Sequence, residues 1–449
     1  MHDAARLQAA IDLLGEIESV SRPADGTASA FFRSRRFIGS KDRRAIADRV
    51  WGVLRRWARL TWWCHWAAQG AGREGMSVTP RLRVIADLLI TDHLKVDPLD
   101  RLFSGQTHAP DRLSAAEAAV ADLLQGRSAT HPDMPPAVRF EVPDWIYPRF
   151  EALFGADTDS ELAAMLPEAP VDLRVNTLKA QDRDAALAAL AADGVEASAT
   201  DLSPLGLRLP AGRVNLPTTQ AFKDGLVEVQ DEGSQLIALL TDARPGMAVV
   251  DFCAGAGGKT LGLAAGMGNK GRLIACDVSE GRLDRSAARL KRAGAHNVTR
   301  RVLSSESDKW VKRHAKGFDR VLVDAPCTGT GTWRRNPDAR WRLSPEQLDD
   351  LTRRQASILD SARRLVKPGG RLVYATCSLL PEENADQVEA FLERWEDAEG
   401  WRVLPVCEVW EAAVGTNCPM NNYATALRLT PARHGTDGFF TAVLERGEG

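Results

Sequence analysis

From about Leu236 onward, short apolar runs alternate with helical stretches, and this alternation restricts the fold more than any other feature of the chain. Met247 to Phe252, Leu273 to Cys276, Val298 to Leu303, Val321 to Val323 and Leu372 to Ala375 each read as a buried strand. A strand covered on both faces takes a continuous apolar run rather than an alternating one. Strands separated by helices predict a parallel, doubly wound α/β sheet. Such sheets bind ligands beyond the carboxyl ends of their strands, so the residues that follow each run are the candidate functional groups.

The first of these loops is Cys253-Ala254-Gly255-Ala256-Gly257-Gly258-Lys259-Thr260, placed between a strand and a helix. Its glycines allow backbone N–H groups to approach a ligand closely at a helix N-terminus. A phosphate-binding Walker loop needs Gly at 253 and a dinucleotide fingerprint needs Gly at 260; the chain has Cys and Thr there. Asp277 closes the next strand, roughly 20 residues on, where an acidic side chain takes a pair of ribose hydroxyls. Together they predict a nucleoside site. The later loops carry Asp324-Ala325-Pro326-Cys327 and Thr376-Cys377-Ser378. Two thiols at one sheet edge imply covalent chemistry.

Asp251 to Thr260, Asp277, Phe318 to Gly331, Arg334 to Trp341, Gly369 to Asn384 and Arg433 to Phe440, in this order, resemble the RsmB/Sun-type RNA cytosine-5 methyltransferases. The resemblance implies a Rossmann-like methyltransferase sheet whose last strand, Phe439 to Leu444, runs antiparallel. It implies S-adenosylmethionine on the glycine loop, Cys377 as nucleophile and Cys327 as the group that helps release product. The cofactor set it points to is Cys253, Ala254, Gly255, Ala256, Gly257, Gly258, Lys259, Asp277, Ser304 and Asp324. Two departures stand out. Gly255 and Ala256 replace the family's Ala-Pro pair, removing the fixed φ of proline. Ser304 or Ser305 stands where the family places an Asp near the adenine, and a hydroxyl bonds an amino group more weakly than a carboxylate.

The chemistry explains the two sulfurs. Carbon 5 of cytosine is a poor nucleophile until a thiolate adds to carbon 6, and the proton on carbon 5 must afterwards leave to a base. A free thiol has a pKa of about 8.5, so positive potential is needed near Cys377, and Lys259 is the candidate. Asp324 is the candidate for binding the N3/N4 edge, either ionised as an acceptor or protonated as a donor. The target base must be unstacked to present carbon 6, which suits an RNA loop. Arg334, Arg335, Arg340 and Arg342, around Trp333 and Trp341, are candidates for the flanking backbone.

The chain has 449 residues, 44% apolar and 26% charged, with a formal net charge of −2. That length exceeds one ordinary core and predicts two or three domains: a helical one over 1–130 and the catalytic one over 236–449, while residues 137–235 between them resemble the family's small α+β RNA-binding piece. A proline cluster at Pro132, Pro135, Pro136, Pro143 and Pro148 marks the first boundary. In the helical part, Leu7, Ile11, Leu14 and Ile17 form one stripe and Leu82, Ile85, Ala86, Leu89 and Ile90 another. Arg35 to Leu60 resembles a NusB-like RNA-binding domain. Between Arg33 and Arg59, ten basic residues face Asp42 and Asp48, a local excess of plus eight and a candidate phosphate footprint. Ile46, Val50, Val53, Leu54 and Trp57 supply that segment's apolar face. Trp62, Trp63 and Trp66 read as core in preference to base-stacking residues.

The other five cysteines, Cys64, Cys253, Cys276, Cys407 and Cys418, read as small buried hydrophobes, with neither disulfide nor zinc spacing. No run approaches 18 apolar residues and no secretory signal opens the chain, so the expected setting is a cytoplasmic monomer with no metal and no membrane contact. Its expected partner is RNA, first of all small-subunit ribosomal RNA; a tRNA target and a non-catalytic assembly factor are the alternatives. A DNA cytosine methyltransferase fits less well, since that family attacks with its Pro-Cys cysteine and has no need of Thr376-Cys377-Ser378.

Overall fold

The computed structural model describes residues 1–210 and 214–448. Contacts divide the chain into two units, Met1–Leu166 with Arg335–Leu343, and Pro167–Arg334 with Ser344–Gly449.

The first unit is helical. Its longer helices are Asp3–Ser19, Ala24–Ser34, Ser40–Arg55, Trp57–Gly70, Pro80–Ile90 and Ala115–Leu124. Leu7, Leu14 and Ile17 meet Ile46, Val50, Val53 and the wholly apolar side of Pro80–Ile90 in one core. Helix Ser40–Arg55 stops at Arg56, so Trp57 opens the next helix instead of extending the apolar stripe. Trp63 is buried, and Trp62 and Trp66 pack against it edge-on, as expected for core aromatics.

The basic stretch is less free than its composition suggests. Arg49 and Arg56, two helical turns apart, both bind the buried Asp87, at 2.5 and 2.8 Å. Arg35 pairs with Glu16 at 3.0 Å and Arg59 with Glu141 at 2.9 Å, while Arg43 donates to the Ile38 carbonyl. Arg33, Arg36, Lys41 and Arg44 remain exposed. The arginines after the Pro-Cys loop are likewise structural. Arg340 is buried and donates to the Glu141 carbonyl, and Arg342 pairs with Asp338, which itself accepts from the Ala24 amide.

The second unit holds two sheets. The small one comprises β1 (Asp172–Val175), β2 (Ser198–Ala199), β3 (Gly206–Arg208) and β4 (Val227–Val229), in the order β2-β3-β1-β4. The large one comprises β5 (Ala248–Asp251), β6 (Arg272–Asp277), β7 (Val298–Val302), β8 (Phe318–Asp324), β9 (Val366–Thr376), β10 (Arg402–Val403), β11 (Ala426–Leu429) and β12 (Phe439–Glu445). Its order is β10-β12-β9-β8-β5-β6-β7, with β11 also on β12. The strands from β5 to β9 pair in parallel, and β12 runs antiparallel to β9. Chain direction across the sheet reverses between β5 and β8, which opens a crevice beyond Asp251 and Asp324.

Two expectations are corrected here. Gly369 and Gly370, which in the sequence read as the stop of the helix before β9, lie inside β9, and that helix ends at Ala362. Gly369 takes φ 69° where β8 and β9 slip register, a bend that an L side chain resists. Cys407 and Cys418 form a disulfide, with Cα atoms 5.5 Å apart. The helix Val406–Ala413 and its return loop bring them together over an 11-residue separation that no motif announces.

The Asp87 cluster sets a test of the helical unit. Removing the buried carboxylate takes the partner of Arg56 and leaves Arg49 with its exposed partner Asp92, so Asp87→Ala should destabilise that unit by about 3 kcal/mol. Asp92→Ala, which removes only the exposed partner of Arg49, should cost about 0.5 kcal/mol. Denaturant unfolding of the full chain reads both, and equal losses would contradict the assignment.

Candidate active site

The glycine loop leaves β5 and enters the helix Gly258–Gly266 through Gly257, which has φ 81°. A Cβ at Gly257 would stand 2.9 Å from that of Ser286, so glycine is required there for space as well as conformation. Gly255, at φ 55°, has among the described residues no atom beyond its two chain neighbours within 4 Å of the position a Cβ would take. The loop therefore faces open space at that point. Asp277, at the end of β6, accepts from the Gly255 amide at 2.9 Å and the Ser279 amide at 2.8 Å, using one oxygen for each. Each oxygen keeps a lone pair for a further donor. Ala254 donates its amide to the Cys276 carbonyl, and Arg289 donates to the Ala256 carbonyl, which fixes the loop from both sides. Burial pushes the Cys253 thiol well above its ordinary range, so it stays protonated.

Ser304 is exposed after β7, and both its amide and its hydroxyl donate to Asp308 Oδ2 at 2.8 Å. Bonds from the Ser304 and Trp310 amides hold the Asp308 carboxyl down at about 2. The loop thus carries a permanently charged carboxylate four residues beyond the position where sequence comparison sought one.

Asp251, at the tip of β5, is fully buried. It accepts from the Thr260 hydroxyl at 2.6 Å through Oδ2, while Oδ1 has no partner. Burial raises its pKa to about 7, against the lowering effect of Thr260.

Lys259 reaches from the first turn of Gly258–Gly266 to Asp324 at the end of β8, with Nζ 2.7 Å from Oδ2. Burial alone would lower the lysine, but the Asp324 carboxylate outweighs it and leaves Lys259 raised, hence charged. The Sγ atoms of Cys327 and Cys377 lie 3.4 Å apart, within reach of an S–H···S bond. The hydrogen bond with Cys377, followed by burial, drives the Cys327 thiol well above its ordinary range.

Residues between and beyond the cysteines lock the two loops together. Thr328 and Thr330 both meet the Ser378 hydroxyl, at 3.2 and 3.1 Å. Thr330 Oγ1 accepts the Leu379 amide, and the Gly331 amide donates to the Cys377 carbonyl. Buried Glu383 accepts from the Thr328 amide and from Gln355, and Asn384 donates to the Ser378 carbonyl. Gly331 and Gly438 touch backbone to backbone: a Cβ on Gly331 would fall 2.2 Å from the Gly438 carbonyl oxygen. Arg334 is buried, donating to the Thr436 carbonyl and Asp437, so it braces this loop instead of facing a substrate. Sequence reasoning passed over Thr328, Thr330, Ser378, Glu383 and Asn384, although all fall inside the quoted motifs.

Comparison with known proteins bears on what this arrangement serves. The family model described as 16S rRNA methyltransferase RsmB/F matches residues 238–445, and that of the RsmF/B-like ferredoxin-like domain matches residues 142–215. A probable ribosomal RNA small subunit methyltransferase B of Synechocystis sp. is 35% identical, covering 69% of this chain and 67% of its own length. The ribosomal RNA small subunit methyltransferase B of Pectobacterium atrosepticum is 30% identical over 91% of this chain and 92% of its own. The chain belongs to the RsmB/F methyltransferase family. With it, the chain belongs to the RNA methyltransferases whose cofactor is S-adenosylmethionine. Among solved structures, that of PH0851 covers 99% of both chains at TM-score 0.76 and 26% identity. A methyltransferase homologue from Pyrococcus horikoshii covers 70% of this chain and 99% of its own at TM-score 0.58 and 29% identity.

The RsmB/F cofactor fits the residues present. The space above Gly255 and the remaining acceptor capacity of Asp277 suit a nucleoside with vicinal hydroxyls. Among the described residues, no cluster of His, Cys, Asp and Glu could hold a metal ion, and no helix is long and apolar enough to cross a membrane.

Asp251 gives a pH test. Its folded pKa lies near 7, above the unfolded carboxylate range, so between about pH 4 and pH 7 the folded chain binds a proton that the unfolded chain has lost. Stability therefore falls across that window. Asp251→Asn removes the effect, and its stability relative to the native chain should rise from pH 4 to pH 7 in parallel unfolding curves; a flat difference would contradict the assignment.

Proposed function

We propose that this RsmB/F methyltransferase modifies carbon 5 of a cytosine in RNA, with small-subunit ribosomal RNA as its substrate, through a covalent Cys377 adduct. The observation that carries this reading is the 3.4 Å approach of the Cys327 and Cys377 sulfurs beside the Lys259–Asp324 pair. The names of its relatives support ribosomal RNA as the substrate class.

In this mechanism Cys377, as thiolate, attacks carbon 6 of an unstacked cytosine. The S–C6 bond forms, and the electron pair of the C5=C6 bond becomes available at carbon 5. Asp324 Oδ1, the oxygen not bound by Lys259, accepts from the exocyclic amino group and orients the ring. Lys259 neutralises Asp324 and stabilises the neighbouring thiolate. Residues 253–259, Asp277 and the Ser304 loop would hold S-adenosylmethionine, which when bound would supply the electrophilic methyl group for carbon 5 and leave as the neutral thioether. Cys327, or a water it positions, then takes the proton from carbon 5. The C5=C6 bond re-forms and Cys377 departs as thiolate.

Two substitutions separate these roles. Cys327→Ala, incubated with RNA and S-adenosylmethionine, should accumulate a protein–RNA species that survives denaturing electrophoresis. Cys377→Ala should form none and lose methylation altogether. The opposite pattern would reverse the assignment, and no adduct from either variant would remove the covalent step.

A further inference from the structure

We propose that Glu383 is a positioning residue that decides which of the two thiols keeps their shared proton, holding Cys327 as the thiol and leaving Cys377 as the thiolate. The inference rests on the cytosine-5 reading above for its purpose, though its test does not. Two cysteines 3.4 Å apart are chemically equivalent until their surroundings differ. With one proton between them, the arrangement is an S–H donor against an S⁻ acceptor, and the nucleophile is whichever sulfur gives its proton up.

The surroundings differ by charge. Glu383 is fully buried on the Cys327 side. Its Oε1 accepts from the Thr328 amide at 2.8 Å and from Gln355 Nε2 at 2.9 Å, and its Oε2 accepts from the Thr328 hydroxyl. Gln355 also donates to the Pro326 carbonyl at 2.9 Å, so the residues on both sides of Cys327 are tied to one carboxylate. All of these donors are neutral, and among the described residues no cation pairs with this carboxylate. The Cys377 side faces the opposite sign, in the Lys259 ammonium.

The other titratable groups around the thiols do not reverse this bias. Asp324 is paired with Lys259, Asp251 at the end of β5 has its pKa raised to about 7 by burial and so carries only part of a charge at neutral pH, and Cys253 and Tyr374 are held protonated. Arg354, on the helix Pro345–Ala362, acts on Cys253. Glu383 is among the causes that raise the Cys327 thiol, after its bond to Cys377, burial and the Cys377 charge. Tyr374 completes the placement, since its hydroxyl donates to the Glu383 carbonyl at 2.6 Å and anchors that residue's backbone to β9.

Glu383→Gln is the informative variant because an amide can keep the clamp. Its oxygen accepts from the Thr328 amide and Gln355 while its NH₂ donates to the Thr328 hydroxyl, so the charge is removed and the geometry retained. The full chain, without RNA or cofactor, is treated briefly with iodoacetamide at neutral pH, and each cysteine is read by peptide mass. The reacting thiolate forms an S–C bond and iodide leaves. The native chain should label Cys377 over Cys327 by at least about tenfold, the ratio of one pKa unit. Glu383→Gln should reduce that preference to about threefold or less. Thr328→Val, which loses the hydroxyl bond and keeps the charge, should retain the native preference. An unchanged ratio in Glu383→Gln, or an equal loss in Thr328→Val, would overturn the proposal. Should Glu383→Gln fail to fold, Glu383→Asp withdraws the carboxylate by one methylene: a reduced preference supports the proposal and an unchanged one overturns it. Failure to methylate RNA would count against the proposed function and leave this ratio untouched.

Discussion

The catalytic unit depends on the register between β8 and β9. Asp324 lies opposite Ala375 in a parallel ladder, and the Ala325 amide bonds the Ala375 carbonyl, so both strands end at the same height. The loops that follow therefore leave side by side, with Cys327 three residues past Asp324 and Cys377 two past Ala375. A shift of one residue would turn every side chain of a strand to the opposite face and separate the sulfurs. The hydroxyl and carboxylate bonds among Thr328, Thr330, Ser378 and Glu383 then convert neighbouring loops into one rigid piece. Buried polar networks of this kind are stabilising only when fully satisfied, which accounts for the density of Thr, Ser, Glu and Asn beside the thiols.

Much of this was legible in the sequence. Continuous apolar runs marked the strands, because burial on both faces leaves little choice of side chain. Their ends were less visible. β8 begins at Phe318, three residues before Val321, because Arg320 is tolerated inside it through its bond to Asp242. Leu365 and Val366 look like a continuation of the preceding helix, since a short apolar stretch fits either period. The nucleophile candidates, the glycine loop and Asp277 were readable because strand ends are where such chemistry sits. Glu383 was not, because a glutamate after proline looks solvated until the tertiary fold buries it.

Arginine was the residue most easily misread. Clusters before Arg59 and after Trp333 resemble phosphate contacts in a linear sequence, yet Arg49, Arg56, Arg59, Arg334 and Arg340 bind carboxylates or carbonyls of this chain. The guanidinium fork serves an internal carboxylate as well as a phosphate, and composition cannot distinguish the two. Only burial does, and it leaves Arg33, Arg36, Lys41 and Arg44 as the exposed remainder of the basic segment.

The backbone contact between Gly331 and Gly438 has a consequence for the order of events during synthesis. The Gly438 amide bonds the Gly331 carbonyl, and the strand that follows it, β12, supplies the antiparallel neighbour of β9. A nascent polypeptide emerging from the ribosome thus carries both cysteines long before it can seat them. The loop that carries Cys327 is braced only once the segment around Gly438, 111 residues further on, has been made.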